Sequence, residues 1–203
     1  MTEVPARFFD VALHQRACRE FTNEPIPDDD IERILQAGTH APSAENTQPW
    51  VFVVVRDDTT RSELAALTQR IWNAGAREQT FSRVEAKLAA DVDGGIARGL
   101  GGAPVIVVIG ADTSSGVHPK AIASSIFPAV QNVLLAANAL GYGSALTTLT
   151  AAAGDELRAI VQLPAHVTPM AVVPLGRPAR ALGRPRRRPI AESTHREQYG
   201  RPW

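Results

Sequence analysis

Two groups of residues in this chain are of the type that binds an anion. Near the N-terminus "QRACRE" carries Arg16 and Arg19, and near the C-terminus "RPRRRP" carries Arg184, Arg186, Arg187 and Arg188. A guanidinium fork gives a phosphate paired, charge-assisted hydrogen bonds, whereas an arginine cluster without an anion repels itself. The two basic ends could meet on one phosphate. The plainer alternative makes Arg16 and Arg19 solvated charges at a helix end and the tract an exposed tail, and composition alone favours it. A third group, "APSAENTQPW" (41–50), sets Ser43, Asn46 and Gln48 between a helical pattern and an apolar run. It is either a tight turn satisfying its own backbone or a recognition loop.

Familiar catalytic signatures are missing. The chain has no Walker A sequence, no G-x-G-x-x-G after a strand and no G-x-S-x-G elbow, and its five histidines lack metal-ligand spacing. A P-loop NTPase, a single-chain Rossmann dehydrogenase and a zinc hydrolase are disfavoured, and no metal is expected. Lys and Arg number 21 against 21 Asp and Glu, so no whole-protein field draws the chain to nucleic acid or to an anionic membrane. Any anion site must be local. Cys18 is the single cysteine, which permits no intramolecular disulfide and fits a reducing cytoplasm. The start "MTEVPARFFDVALHQR" lacks a basic segment followed by a long apolar one, and no segment is read as nearing the roughly 18 apolar residues of a membrane span. A cytoplasmic protein is expected, with residues 1–203, 44% of them hydrophobic, forming one domain.

Helices and strands must alternate to hold these groups. Asp28 or Asp29 could cap a helix that shares Ile31, Ile34 and Leu35 on one face and ends near Gly38. "WVFVVV" (50–55) is a continuous, β-branched run, expected as a strand covered on both faces at the centre of a sheet. Thr60 and Glu63 have capping-box spacing at the next helix. Residues 69–102 lack a clean period and are expected to be partly helical and mobile. "APVIVVIG" (103–110) reads as a buried strand, 121–141 as an apolar helix entered near Pro128 and buried nearly all round, and "SALTTL" as a further strand. Residues 155–163 read as a short helix, "PMAVVPLG" (169–176) as a strand, and the chain from Arg177 as an arm without periodicity.

The order "QRACREF…PIPDDDIERILQAGTHAPSAENTQPWVFVVV", then "PAVQNVLLAANALGYGSALTTL" and "VVPLGRPA…RRRPIAE…REQYG", resembles the nitroreductase-like family of FMN-dependent NAD(P)H oxidoreductases. Each motif is short, but the three stand in family order at family spacing. The resemblance implies an α+β fold, with a mixed, mainly antiparallel sheet wrapped by helices. It also implies an intertwined homodimer with two FMN sites at the interface, a variable helical or lid region at about 60–100, and a C-terminal arm at about 177–203.

By position, the resemblance puts Gln15, Arg16, Ala17 and Arg19 on the flavin phosphate, ribityl chain and pyrimidine edge. Gln15 stands where Arg is common and Ala17 where Ser is common, so one phosphate ligand and one hydroxyl donor are missing. Arg187 or Arg188 could compensate, with Arg186 a further candidate. Pro42, Ser43, Ala44 and Asn46 would serve the flavin of the neighbouring subunit, because a hydroxyl and an amide can meet the donors and acceptors of its edge. Gln48 would bond the flavin or only its own loop. Thr147, Thr148 and Leu149 align with the segment facing the isoalloxazine near N5 and O4, or are ordinary strand residues. Trp50 reads as a core anchor, Trp72, Phe81 and Trp203 as packing residues or a substrate stack, Cys18 as a small buried hydrophobe, and His40 as a helix-end residue or a support for the loop.

The implied activity is hydride transfer from NADH or NADPH to FMN, then by ping-pong to a small acceptor such as a nitroaromatic, quinone or enone. Arg19 would lie near N1 and O2, and no catalytic side chain is expected. Flavin cleavage, reductive dehalogenation and FMN binding without turnover are the alternatives.

Overall fold

The computed structural model describes residues 8–114, 116 and 118–203. In chain order α1 is Phe8–His14, α2 Asp28–Thr39, β1 Trp50–Val55, α3 Asp58–Ile71, α4 Arg77–Arg83, α5 Ala86–Ala97, β2 Val105–Asp112, α6 Pro119–Ala139, β3 Gly143–Ser144, α7 Gly154–Val161 and β4 Val167–Gly176. The sheet runs β1-β2-β4-β3 with antiparallel pairing. An isolated parallel bridge from Ala17 to Ser144 lays the N-terminal motif beside β3. This is the expected α+β arrangement.

Alternation along the strands divides the core in two. Val105, Val107 and Ile109 of β2 face α2 and α6 with Ile34, Ile126 and Val130, whereas Ile106 and Val108 face Leu64, Leu67 and Leu157 of α3 and α7. All but Leu67 are at most 1% exposed. Both sheet faces are therefore covered, which is why β2 and β4 read as unbroken apolar runs.

Several local expectations need correction. β1 is an edge strand, paired among the described residues only to β2. Its apolar run reports coverage of both faces, by Trp50 and Phe52 on one side and Val53 and Val55 on the other, and says nothing about strand order. The cap of α3 is Asp57, which accepts from the Thr60 N–H and hydroxyl at 2.8 Å each, so Thr60 lies inside the helix. α2 is preceded by Pro27, with Asp28, Asp29 and Asp30 in its first turn where the helix dipole favours acid. Pro128 lies inside α6, while Pro119 is at its start. The burial of Ile126, Ala129, Val130 and Val133 on either side of Pro128 offsets the lost helical bond.

α6 is also not buried all round, since Phe127 is 39% exposed. By length and composition it could cross a membrane; here one face packs into the core. Residues 69–102 are mostly helical, broken by a π-helical turn at Trp72–Ala76 where Gly75 takes φ 133°. "SALTTL" is strand only at Ser144, and the chain rejoins the sheet at Thr147, bridged to Val172.

Candidate functional site

The two basic ends meet. α1 ends at His14, whose Nδ1–H donates to the Asp10 carbonyl at 2.7 Å, leaving Nε2 to accept from Arg184 Nε at 2.9 Å. Two residues on, Arg16 Nη1 donates to the Gly183 carbonyl at 3.2 Å. Arg16 is half-buried and, among the described residues, forms no ion pair, although it lines a small cleft with Arg19, Glu20, Asp91 and Arg180. Beside it a cleft of about 150 Å³ is lined by His14, Gln15, Arg16, Asn138, Tyr142 and Ser144. Lone-paired oxygens and cationic N–H groups together suit a ligand with hydroxyls and an anionic end.

The segment after Arg16 is held close against β3. Cys18 N–H donates to the Ser144 carbonyl at 2.8 Å, and a Cβ on Gly143 would fall 2.7 Å from Cys18 Cβ and Sγ. Only glycine allows that approach. Cys18 is 2% exposed, and burial pushes its thiol pKa up. It behaves as the small buried hydrophobe expected.

Arg19 has a counter-charge. Its Nη1 meets Asp91 Oδ2 of α5 at 2.9 Å, while Asp91 Oδ1 takes Arg180 Nη2 at 3.0 Å. A second cavity, about 130 Å³, is lined by Arg19, Gly95, Ile96, Gly101, Leu146 and Thr147 among others. Its wall is mainly apolar, apart from Arg19, Thr147 and Thr68, whose hydroxyl gives its hydrogen to Leu64 O and therefore accepts from Thr150 at 2.8 Å. A flat, largely apolar ring with one polar edge toward Arg19 suits this lining.

Thr147 exchanges backbone hydrogen bonds with Val172 at 3.0 and 2.9 Å, and its hydroxyl accepts from Leu149 N–H at 3.2 Å. Thr148 is exposed, and its own N–H has no partner among the described residues. Thr147 is thus a sheet residue that also lines the cavity, and Thr148 is the one left with a donor to offer.

The loop at 41–50 does satisfy its own backbone. Ser43 Oγ accepts from Gln48 N–H at 3.1 Å, Gln48 Nε2 donates to Asn46 Oδ1 at 3.2 Å, and Ala44 N–H reaches Ser125 Oγ of α6 at 3.0 Å. Yet Glu45, Asn46 and Gln48 all have positive φ, 52°, 53° and 48°. Three such residues in one short loop store strain, a feature that clusters at functional sites. Pro42, Asn46 and Gln48 are exposed.

Within this chain the loop does not reach the Arg16 cleft. It is anchored at Ser125, the cleft at Asn138; thirteen residues of helix separate them by about 20 Å. Arg186, Arg187 and Arg188 are exposed, with Arg187 on the Arg186 carbonyl and Arg188 4.0 Å from Glu192. Arg184 and Arg180 are the arm residues brought to the N-terminal motif. Asp91, Arg180 and His14 escaped the sequence reading. His14 adjoins Gln15 and could have been included, whereas Asp91 lies in a stretch without periodicity and Arg180 outside the tract.

Of the remaining aromatic and histidine residues, Trp72 is packed inside the protein, whereas Phe81 and Trp203 stay exposed, by 40% and 69%. Trp72 is 4% exposed and donates to Asp93 at 2.8 Å, Phe81 lies under Arg77 at 4.7 Å and Trp203 under Arg196 at 5.4 Å. His40 bonds Gln36 O at 2.8 Å, ending α2. Trp50 packs against the larger core cluster.

Residues 12–177 match the model of the nitroreductase family. A Thermus thermophilus NADH dehydrogenase is 34% identical over 202 residues, covering 83% of this chain and 85% of its own. A Desulfovibrio desulfuricans protein assigned as a nitroreductase and solved in complex with FMN is 30% identical, with a TM-score of 0.75 over 98% of this chain and 99% of its own. Human iodotyrosine deiodinase 1 is 25% identical over 200 residues, covering 94% of this chain and 68% of its own.

Proposed function

This chain belongs to the nitroreductase family, and we propose that it is an FMN-dependent enzyme that takes a hydride from NADH or NADPH and passes it to a small acceptor such as a nitroaromatic, quinone or enone. The observation that carries the cofactor is Arg16, a half-buried cation with one carbonyl contact and, among the described residues, no ion pair, beside the Arg184–His14 pair. Such a group is free to take an anion in a charge-assisted hydrogen bond. The 30% identical relative with FMN bound supports the same reading. When bound, FMN supplies hydride acceptance and release at N5.

The chain's residues bind and orient it. Arg16, with Arg184 nearby, would hold the phosphate. Gln15 and Ser144, which line the first cleft, would meet the ribityl hydroxyls, and Arg19, which lines the second cavity, would serve the N1 and O2 edge. Thr148 N–H would be the donor offered to the N5 and O4 side, with Leu149 next to it in the chain. No side chain is needed as acid or base, because protons at the flavin exchange with water.

The unit of function is a homodimer, with each 203-residue chain acting as one domain. A loop about 20 Å from the cleft along α6 can serve a flavin only if that flavin lies against a second copy. α1 supports such a copy, since it exposes Phe8 by 66%, Phe9 by 75% and Leu13 by 54%, an apolar face that water disfavours. Asn46, Ser43, Ala44 and Pro42 then belong to the partner's site, with Gln48 bracing Asn46. The buried thiol and the paired surface charges are in keeping with a cytoplasmic protein.

The test is the absorption spectrum of the purified protein. It should be yellow, release FMN and not FAD on denaturation, and bleach with NADH or NADPH without oxygen. A colourless protein that cannot be reconstituted with FMN would overturn the reading. The deiodinase relative supports a second reading, reductive dehalogenation. Halide release from an iodinated phenol by the pre-reduced protein, at a rate above nitroaromatic reduction, would favour it.

A further inference from the structure

The cation expected to face the flavin is not a free charge. Arg19 Nη1 is 2.9 Å from Asp91 Oδ2, and the other oxygen of Asp91 holds Arg180 Nη2 at 3.0 Å. Arg180 Nε in turn lies 3.7 Å from Glu20 Oε2. Arg19, Asp91, Arg180 and Glu20 thus form one chain of ion pairs beside the cavity that Arg19 lines, with Arg98 Nη2 donating to the Arg19 carbonyl at 3.3 Å and Arg16 lining the same small cleft. The Arg19 and Asp91 side chains are about one quarter exposed, at 25% and 27%, so water screens the pair only partly. The link also runs between separate parts of the chain, joining α5 to the N-terminal motif and the C-terminal arm.

We propose that Asp91 is a positioning residue that aims Arg19 and neutralises part of its charge, lowering the midpoint potential of the bound flavin. The inference rests on the reading that FMN binds with its N1 and O2 edge toward Arg19. Reduction by NAD(P)H transfers a hydride, two electrons and one proton, and releases NAD(P)⁺; the flavin gains one negative charge, carried at that edge. A bare Arg19 would stabilise this charge strongly. An Arg19 paired with Asp91 stabilises it less, because the carboxylate repels the same charge. Flavin held this way is a stronger hydride donor to the second substrate. Arg180 works in the opposite sense, drawing part of the Asp91 charge away.

The charges give two variants of opposite sign, which loss of structure alone would not produce. Midpoint potentials are measured by spectroelectrochemistry on the FMN-loaded protein and on its Asp91→Asn, Asp91→Glu and Arg180→Gln variants. Asp91→Asn should move the potential positive by about 30 mV, a tenfold gain in preference for reduced FMN. Asp91→Glu should restore the original value. Arg180→Gln should move it negative, and by less, because that side chain is 63% exposed. Melting of the FMN-free variants checks that each folds. If Asp91→Asn retains FMN but its potential is unmoved or more negative, the inference is wrong while the flavin reading stands. If the unaltered protein takes up no FMN, the flavin reading fails and the inference fails with it.

Discussion

Arg184 Nε donates to His14 Nε2 at 2.9 Å, joining residues 170 positions apart. His14 can accept only because its Nδ1–H is spent on the Asp10 carbonyl. The contact brings the C-terminal arm over the segment that starts at Gln15, and Arg16 then rests on Gly183. The proposed anion site would thus draw on both ends of the chain beside α6.

Arg16→Ala should weaken FMN binding far more than folding. It removes a charge-assisted contact worth about 1.5 to 3 kcal/mol, roughly ten- to a hundredfold in affinity. Fluorescence titration with FMN, set beside the melting temperature of the FMN-free protein, separates the two effects. An unchanged dissociation constant would return Arg16 to the status of a solvated helix-end charge.

Gly101→Ala should cost about 2 to 4 kcal/mol of stability, from left-handed strain and overpacking together. Gly101 has φ 78°, and an added Cβ would sit 2.7 Å from the Arg19 carbonyl oxygen, a backbone atom that cannot rotate away. Chemical denaturation gives the loss directly. A variant as stable as the parent would mean that the Arg19 backbone gives way freely.

Cys18 should resist thiol reagents in the native protein. The thiol is buried and its pKa raised by that burial, so thiolate is scarce at neutral pH. Ellman's reagent should label it only as fast as the protein unfolds, and quick labelling of the folded protein would contradict this packing.

Asp93 should make stability fall in acid. Its hydrogen bond from Arg77, then that from Trp72, hold its carboxyl below the usual carboxylate range. A depressed folded pKa means the contribution is full above the unfolded value of about 3.9 and is lost as pH falls through the folded one. Melting temperatures from pH 6 to pH 3 should drop more for the parent than for Asp93→Asn. Parallel curves would show that the contact contributes no stability.

Much of the fold was legible because burial imposes pattern. Val105 to Ile109 in β2 and Ala171 to Val173 in β4 are buried under both layers of helices, so their sequences are continuously apolar. The same pattern could not give strand order, and β1 proved to be an edge. Arg16 and Arg19 were legible as an anion motif, but their partners were not. Asp91 reaches Arg19 across 72 positions, from a helix whose residues Gly94 and Gly95 blur its period, and a contact of that range leaves no local mark. The loop's polar residues were legible while their positive φ angles were not, since Glu45, Asn46 and Gln48 are not the glycines that normally announce such a turn.

In the proposed dimer each flavin site is divided between two copies, with Arg19 from one and the Asn46 loop from the other. Arg19→Ala and Asn46→Ala homodimers should each bind FMN poorly. A verified heterodimer of the two variants carries both defects in one site and none in the other. FMN titration of that heterodimer should recover one site of parental affinity per dimer. If both homodimers are impaired and the heterodimer shows no site of parental affinity, the loop acts within its own chain and the divided site is wrong.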